Sequence, residues 1–128
     1  MIGPYTVYYT VSDSHGNAAV TGERIVNVVD VGIPVITLLG TLSGTIEVGS
    51  SYSDAGATAY DTEDGDLTSS IVTSGTVDTN IIGTYYITYD VMDLSGNAAV
   101  QVIRTVNVVD TTAPALTLLG DNPQSIVI

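Results

Sequence analysis

The chain has 128 residues, of which fourteen are acidic and only Arg24 and Arg104 are basic, for a net charge of −12. It therefore offers no basic patch to nucleic acid or anionic lipid, and the absence of cysteine removes disulfides, thiolate metal sites and cysteine nucleophiles. A hydrophobic content of 45%, mostly Val, Ile and Leu with eight Tyr, is enough for a packed core and excludes a disordered acidic tail.

No apolar run approaches the ~20 residues of a membrane span, so membrane insertion is not expected. Met1 leads straight into strand-like sequence without a signal peptide, and the chain reads as an excised piece of a longer protein.

An internal repeat organises the sequence. The run from Ile2-Gly3-Pro4-Tyr5 to Val28-Val29-Asp30 matches the run from Ile82-Gly83-Thr84-Tyr85 to Val108-Val109-Asp110 without a gap, at an offset of 80 residues. Gly16-Asn17-Ala18-Ala19-Val20 returns as Gly96-Asn97-Ala98-Ala99-Val100, and Thr37-Leu38-Leu39-Gly40 as Thr117-Leu118-Leu119-Gly120. So long a period means tandem domains and not a solenoid of small units. Residues 1–30 read as the C-terminal strands of one repeat, 34–110 as a complete repeat, and 114–128 as the N-terminal strands of a third. The links after Asp30 and Asp110 are short and carry Pro34 and Pro114, which stiffen them.

Within the complete repeat, strands are expected at Val35–Leu39 and at Thr45–Val48 after a glycine-containing kink. Others are expected at Ala55–Tyr60, at Ile71–Ser74, and at Thr76–Thr79 beyond Gly75. Tyr85 to Val91 alternates, placing Tyr85, Ile87, Tyr89 and Val91 on one face. Leu94-Ser95-Gly96-Asn97 makes a turn, and Ala98–Val109 alternates through Val100, Val102, Thr105 or Val106, and Val108. No segment has a helical period with caps. About seven short strands in some 75 residues indicate an all-β protein with an immunoglobulin-like antiparallel β-sandwich.

The central run resembles the bacterial surface Ig-like repeats, which are related to hyalin-type repeats and to the Ig-like domain of pesticidal crystal proteins. The resemblance is carried by Ile46-Glu47-Val48-Gly49-Ser50-Ser51-Tyr52-Ser53-Asp54-Ala55-Gly56-Ala57-Thr58-Ala59, Asp64-Gly65-Asp66-Leu67-Thr68, Gly83-Thr84-Tyr85 and Tyr89-Asp90-Val91-Met92-Asp93-Leu94-Ser95-Gly96-Asn97. It implies tandem modules in long extracellular bacterial proteins at the cell surface or secreted. Spacing and adhesion are implied, and no catalytic activity.

The stretch Asp61-Thr62-Glu63-Asp64-Gly65-Asp66-Leu67 holds four of the fourteen acidic residues. Carboxylates this close repel one another unless a cation or water separates them, and an oxygen-only, flexible loop suits Ca²⁺. In an Ig-like sandwich this loop, the Asp93–Asn97 turn and the incoming link share one pole. The expected ligands are Asp61, Glu63, Asp64 and Asp66, completed by Asp30 and Asp93. The alternative is a solvated acidic turn. An EF-hand is excluded, since Gly65 stands at the fifth loop position and Val72 at the twelfth. Asp90 is expected to turn inward and accept backbone hydrogen bonds.

His15 is the only histidine and its counterpart is Ser95, so it reads as a turn residue and an enzyme is not expected. Intramolecular Lys–Asn isopeptide bonds are impossible without lysine. Tyr5, Tyr9, Tyr85 and Tyr89 are expected to pack in cores, Tyr8 and Tyr86 to face outward, and Arg24 and Arg104 to pair with acidic neighbours. The functional expectation is a structural stalk or spacer, rigidified by Ca²⁺ at module junctions. Its partners would be neighbouring repeats or other copies of the chain, assembled head to tail by strand complementation. The alternative is an adhesion module binding glycan or a host protein.

Overall fold

A computed structural model describes residues 2–120 and 126. Nine strands follow in order: β1 (Gly3–Tyr9), β2 (Gly22–Val28), β3 (Val35–Leu38), β4 (Ser43–Glu47), β5 (Ala57–Asp61), β6 (Gly65–Asp66), β7 (Val72–Ser74), β8 (Gly83–Asp90) and β9 (Val102–Val109). One 3-10 turn, Thr68–Ser70, lies between β6 and β7.

Strands β3 to β9 make the sandwich. One sheet has the order β3-β5-β6 and the other β4-β9-β8-β7. The chain is all-β with an Ig-like architecture, and one pairing departs from the antiparallel expectation: β4 runs parallel to β9. The cause is a change of sheet. β3 pairs with β5, the chain turns at Gly40 (φ +77°), and β4 joins the other sheet at the edge beside β9. A positive φ is costly for any residue with a Cβ, which explains glycine at this kink.

The core fills the space between the sheets. Ile36 of β3, Ala59 of β5 and Leu67 beyond β6 meet Ile87 and Tyr89 of β8 and Val91. Tyr, Ile and Thr alternate along β8, suiting a strand with one covered and one open face. On β9 the inward series is Val102, Arg104, Val106 and Val108, so a charged residue occupies a core position, while Val100 is exposed.

The second segment flanking Gly75 is not a strand. Val72–Ser74 pairs with β8, and Gly75 (φ +98°) then comes so close to the Tyr86 carbonyl that a Cβ would overlap it, after which residues 76–78 leave the sheet. The expected strand at Ala98–Val109 starts only at Val102, preceded by an isolated bridge between Met92 and Ala98.

β1 and β2 form a separate two-stranded sheet. Its register, from Gly3↔Val28 to Tyr9↔Gly22, repeats that of β8 and β9, from Gly83↔Val108 to Tyr89↔Val102, eighty positions on. Among the described residues no second sheet covers this hairpin, and Tyr5 and Tyr9, expected in a core, are exposed. Residues 114–119 carry no strand pairing and lie exposed. The rest of the expected 114–128 strands, apart from Gly120 and Ile126, falls outside the described residues.

A candidate cation centre at the incoming link

Three Asx-type turns and one link build the site. Asp61 closes β5, and its Oδ1 accepts hydrogen bonds from the Glu63 and Asp64 N–H groups at 2.9 and 3.1 Å, bending the chain back into β6. Asp93 follows β8. It accepts from the Asn97 backbone N–H and the Asn97 side-chain amide, each at 2.7 Å, and this folds the turn before β9. Asp64 Oδ2 accepts from the Leu94 N–H at 2.8 Å, tying the acidic loop to that turn. Asp30 Oδ1 accepts from the Gly32 N–H at 2.8 Å, and the Asn97 amide donates to the Asp30 carbonyl at 3.3 Å, docking the incoming link on the sandwich. Aspartate favours such turns because its side chain mimics a backbone acceptor.

The consequence is a convergence of charge. One carboxylate oxygen from each of Asp30, Asp61, Asp64 and Asp93 lies within 4.8 Å of the others. Asp61 and Asp93 are buried, and Asp30 and Asp64 half-buried. The second Asp30 oxygen, Oδ2, is buried with no hydrogen-bond partner, an arrangement that costs free energy unless something binds it. No arginine stands nearby: among the described residues Arg104 pairs with Asp54 at 2.8 Å and Arg24 stacks on Tyr9. Separations of 4.8 Å or less are what one ion shared by these oxygens at about 2.4 Å, the Ca²⁺–oxygen distance, would require, with carbonyls and water completing its shell.

The other two sequence candidates are placed differently. Glu63 is exposed at the rim. Partial burial, then the neighbouring Asp30 and Asp61 charges, push its carboxyl above the usual range. Asp66 is not part of the cluster; it receives the Thr68 N–H at 2.9 Å, and the Thr68 hydroxyl first, then this backbone bond, lowers its pKa. Asp66 instead edges a shallow groove of about 270 Å³ on the outer face of β3 and β5, beside the exposed Tyr60. Burial alone would raise the Asp93 carboxyl, but the Asn97 side-chain and backbone hydrogen bonds outweigh it and hold the pKa low.

Two members of the site were not singled out from the sequence. Asn97 had a signal, since Asp13 and Asn17 stand at the same four-residue spacing and make the same bonds. Gly32 had none. A Cβ there would sit 3.0 Å from Glu63 Oε2 and 3.2 Å from Asp30 Oδ1, so the missing side chain leaves the room beside the carboxylates. Asp90 is a correction. Its carboxylate faces the surface and accepts from the Gln101 amide at 2.9 Å, because β8 alternation turns position 90 outward while Tyr89 and Val91 point in.

The outgoing link is held by different chemistry. Glu47, at the end of β4, accepts from the backbone N–H and hydroxyl of both Thr111 and Thr112, and these bonds, the Thr111 hydroxyl first, lower its pKa to about 2.

The family model for the bacterial surface protein Ig-like domain matches residues 36–108. The chain belongs to this family. Its matched region runs from β3 through β9 and includes Asp61, Asp64 and Asp93 but not Asp30. Among solved structures, the chain is similar to the lipoprotein BT2262 from Bacteroides thetaiotaomicron, 30% identical with a TM-score of 0.55 over 63% of this chain and 40% of that one. The structure of the M60 catalytic domain with the CBM51-1 and CBM51-2 domains from Clostridium perfringens ZmpB also matches, at 16% identity and a TM-score of 0.49 over 83% of this chain and 15% of that one. The chain thus spans well under half the length of either protein. Among curated proteins none matches. The bacterial surface Ig-like module described here contains no helix long and apolar enough to cross a membrane among its described residues.

Proposed function

We propose that the chain is a spacer segment of a longer bacterial surface protein, a run of Ig-like modules whose incoming joint is stiffened by Ca²⁺. The observation that carries this reading is the meeting of Asp30, from the link, with Asp61, Asp64 and Asp93 of the sandwich, together with the buried and unpartnered Asp30 Oδ2. A cation bound there joins two parts of the chain otherwise connected by a few residues. It neutralises repulsion that would push the link away, so binding orders the joint as well as stabilising the fold. Extracellular modules bind Ca²⁺ with dissociation constants of about 10⁻⁴ to 10⁻³ M, which is adequate outside a cell.

Thermal unfolding in EDTA, Ca²⁺ and Mg²⁺ tests the proposal. The wild-type midpoint is expected to rise as Ca²⁺ passes its dissociation constant, and less with Mg²⁺, which demands a stricter octahedron. Asp64→Asn should abolish the rise, and Asp66→Asn, outside the cluster, should keep it. Equal midpoints in EDTA and millimolar Ca²⁺ would reduce the cluster to a solvated turn.

A further inference from the structure

The one parallel pairing among the described strands lies on the path that tension would take through the sandwich. β4 and β9 pair from Ser43↔Thr105 to Glu47↔Val109, five positions in register. Further bonds extend this ladder at both ends. The Thr105 N–H donates to the Leu42 carbonyl at 3.1 Å, and the Val48 N–H to the Val109 carbonyl at 2.7 Å. Past that second end, the Glu47 carboxylate accepts from the N–H and hydroxyl groups of Thr111 and Thr112, at 2.7 to 3.2 Å. Behind the ladder, Arg104 of β9 donates to the Leu39 carbonyl, just ahead of the Gly40 kink that leads into β4.

The two links enter and leave at opposite ends of β9. The incoming link docks at Asn97, ahead of β9, and the outgoing link follows Val109 and is held by Glu47. A strand of eight residues separates these points by about 26 Å. Because β4 and β9 run in the same direction, a pull on the two links draws β4 back toward its start and β9 onward past its end. The force then lies along the ladder, and all of its bonds resist together. An antiparallel edge such as β7 on β8, with three pairings, is instead peeled by a sideways pull, one pairing at a time. Sharing the load raises the barrier to forced unfolding, which is set by the rate of opening and not by equilibrium stability.

We propose that the β4–β9 ladder is a shear clamp that lets the module bear tension along the chain. β3 takes the load first through its four pairings with β5, and the Gly40 kink passes it to β4 when they give. The ladder then holds until β4 slides past β9, with the Glu47 grip on Thr111 and Thr112 adding resistance at the exit. The use of such a clamp rests on the reading of the chain as a spacer, which carries load between its neighbours. The clamp itself is independent of the cation, because Asp30 lies ahead of β3 and outside the ladder.

Single-molecule force spectroscopy on the full chain, pulled in two directions, tests the clamp. The sequence has no cysteine, so introduced pairs give unique handles. Ile33→Cys with Ala113→Cys pulls along the chain, and Ser43→Cys with Ser74→Cys pulls across the four-stranded sheet from edge to edge. All four positions are exposed. The along-chain unfolding force is expected to be several-fold the higher, in EDTA and in Ca²⁺ alike. Val48→Pro, which deletes the N–H bonded to Val109, should lower the along-chain force and leave the across-sheet force unchanged. Glu47→Gln keeps the ladder and should lower the along-chain force by less; it decides the same comparison if Val48→Pro does not fold. An along-chain force no higher than the across-sheet force overturns the proposal. So does a Val48→Pro effect that is equal in both directions or absent from both. An unfolding midpoint insensitive to Ca²⁺, with the force ratio intact, would sink the stiffened joint and leave the clamp standing.

Discussion

Two hairpins of this chain share a register and much of their sequence, yet one is the centre of a core and the other is exposed on both faces. β8–β9 is buried because β3, β5 and the Leu67 region close over Ile87, Tyr89 and Val91. β1–β2 has the same alternation and, among the described residues, no such lid. Strand pattern therefore decides which residues share a face, while burial of that face depends on segments elsewhere in the chain.

The sharpest test of this contrast is the arginine in each hairpin. Arg104 is buried among Asp54, the Leu39 and Gly56 carbonyls and the Tyr89 ring. Arg104→Ala strands Asp54 and empties a core position, and denaturant unfolding should show a loss of about 3 kcal/mol, the low end for a broken buried pair because Asp54 is a quarter exposed. Arg24→Ala removes only a ring contact and should stay within about 0.5 kcal/mol at concentrations where the protein is monomeric. Comparable losses at the two sites would mean that the β1–β2 hairpin is covered after all.

The tyrosines refine the comparison with a smaller effect. Tyr89 donates from its hydroxyl to Asp54 Oδ2 at 2.6 Å, and burial first, then the Asp54 carboxylate, raises its pKa far above the usual value. Tyr89→Phe deletes a hydrogen bond to a charged acceptor and should cost roughly 1.5 kcal/mol or more. Tyr9→Phe has no such bond to lose and should be silent. An equal response from both would detach the Tyr89 hydroxyl from the stability of the core.

Much of the fold was legible because alternation and turn residues act locally. β8 and the Asp93–Asn97 turn follow from Tyr-Tyr-Ile-Thr-Tyr and from an aspartate four residues ahead of an asparagine, and neither needs distant information. The convergence of Asp30 with Asp61, Asp64 and Asp93 follows from the common pole of an Ig-like sandwich. What was not legible depends on distant partners. Arg104 shares the inward side of β9 with Val102, Val106 and Val108, but the groups that satisfy its charge there, Asp54 and the Leu39 and Gly56 carbonyls, lie about fifty residues or more away in sequence and nothing in β9 marks them. Asp66 and Asp64 are two positions apart in an acidic run, yet one caps the turn at Thr68 and the other reaches Leu94. Charge density does not distinguish the two; the start of β6 does, since Asp66 lies in that two-residue strand opposite Tyr60 and Asp64 lies just ahead of it.

The two links extend the comparison to the ends of the sandwich, with the smallest expected effect. The incoming link meets carboxylates that call for a cation, whereas Glu47 holds the outgoing link with hydroxyl and amide donors alone. Thr111 and Thr112 replace Val31 and Gly32 at the corresponding positions, which is why only the second link has side-chain hydroxyls to offer. The folded Glu47 pKa is depressed to about 2 from an ordinary 4.5, so its contribution is present above pH 4.5 and is lost as the pH falls through 2. Glu47→Gln should therefore lower the unfolding midpoint slightly at pH 6, and the difference should shrink across that acid window until the two proteins coincide. Because the clasp is solvent-facing, added salt should weaken it, and Ca²⁺ should not restore it. A Glu47→Gln deficit that is constant between pH 6 and 2 would assign the effect to packing at the end of β4 and not to the charge of Glu47.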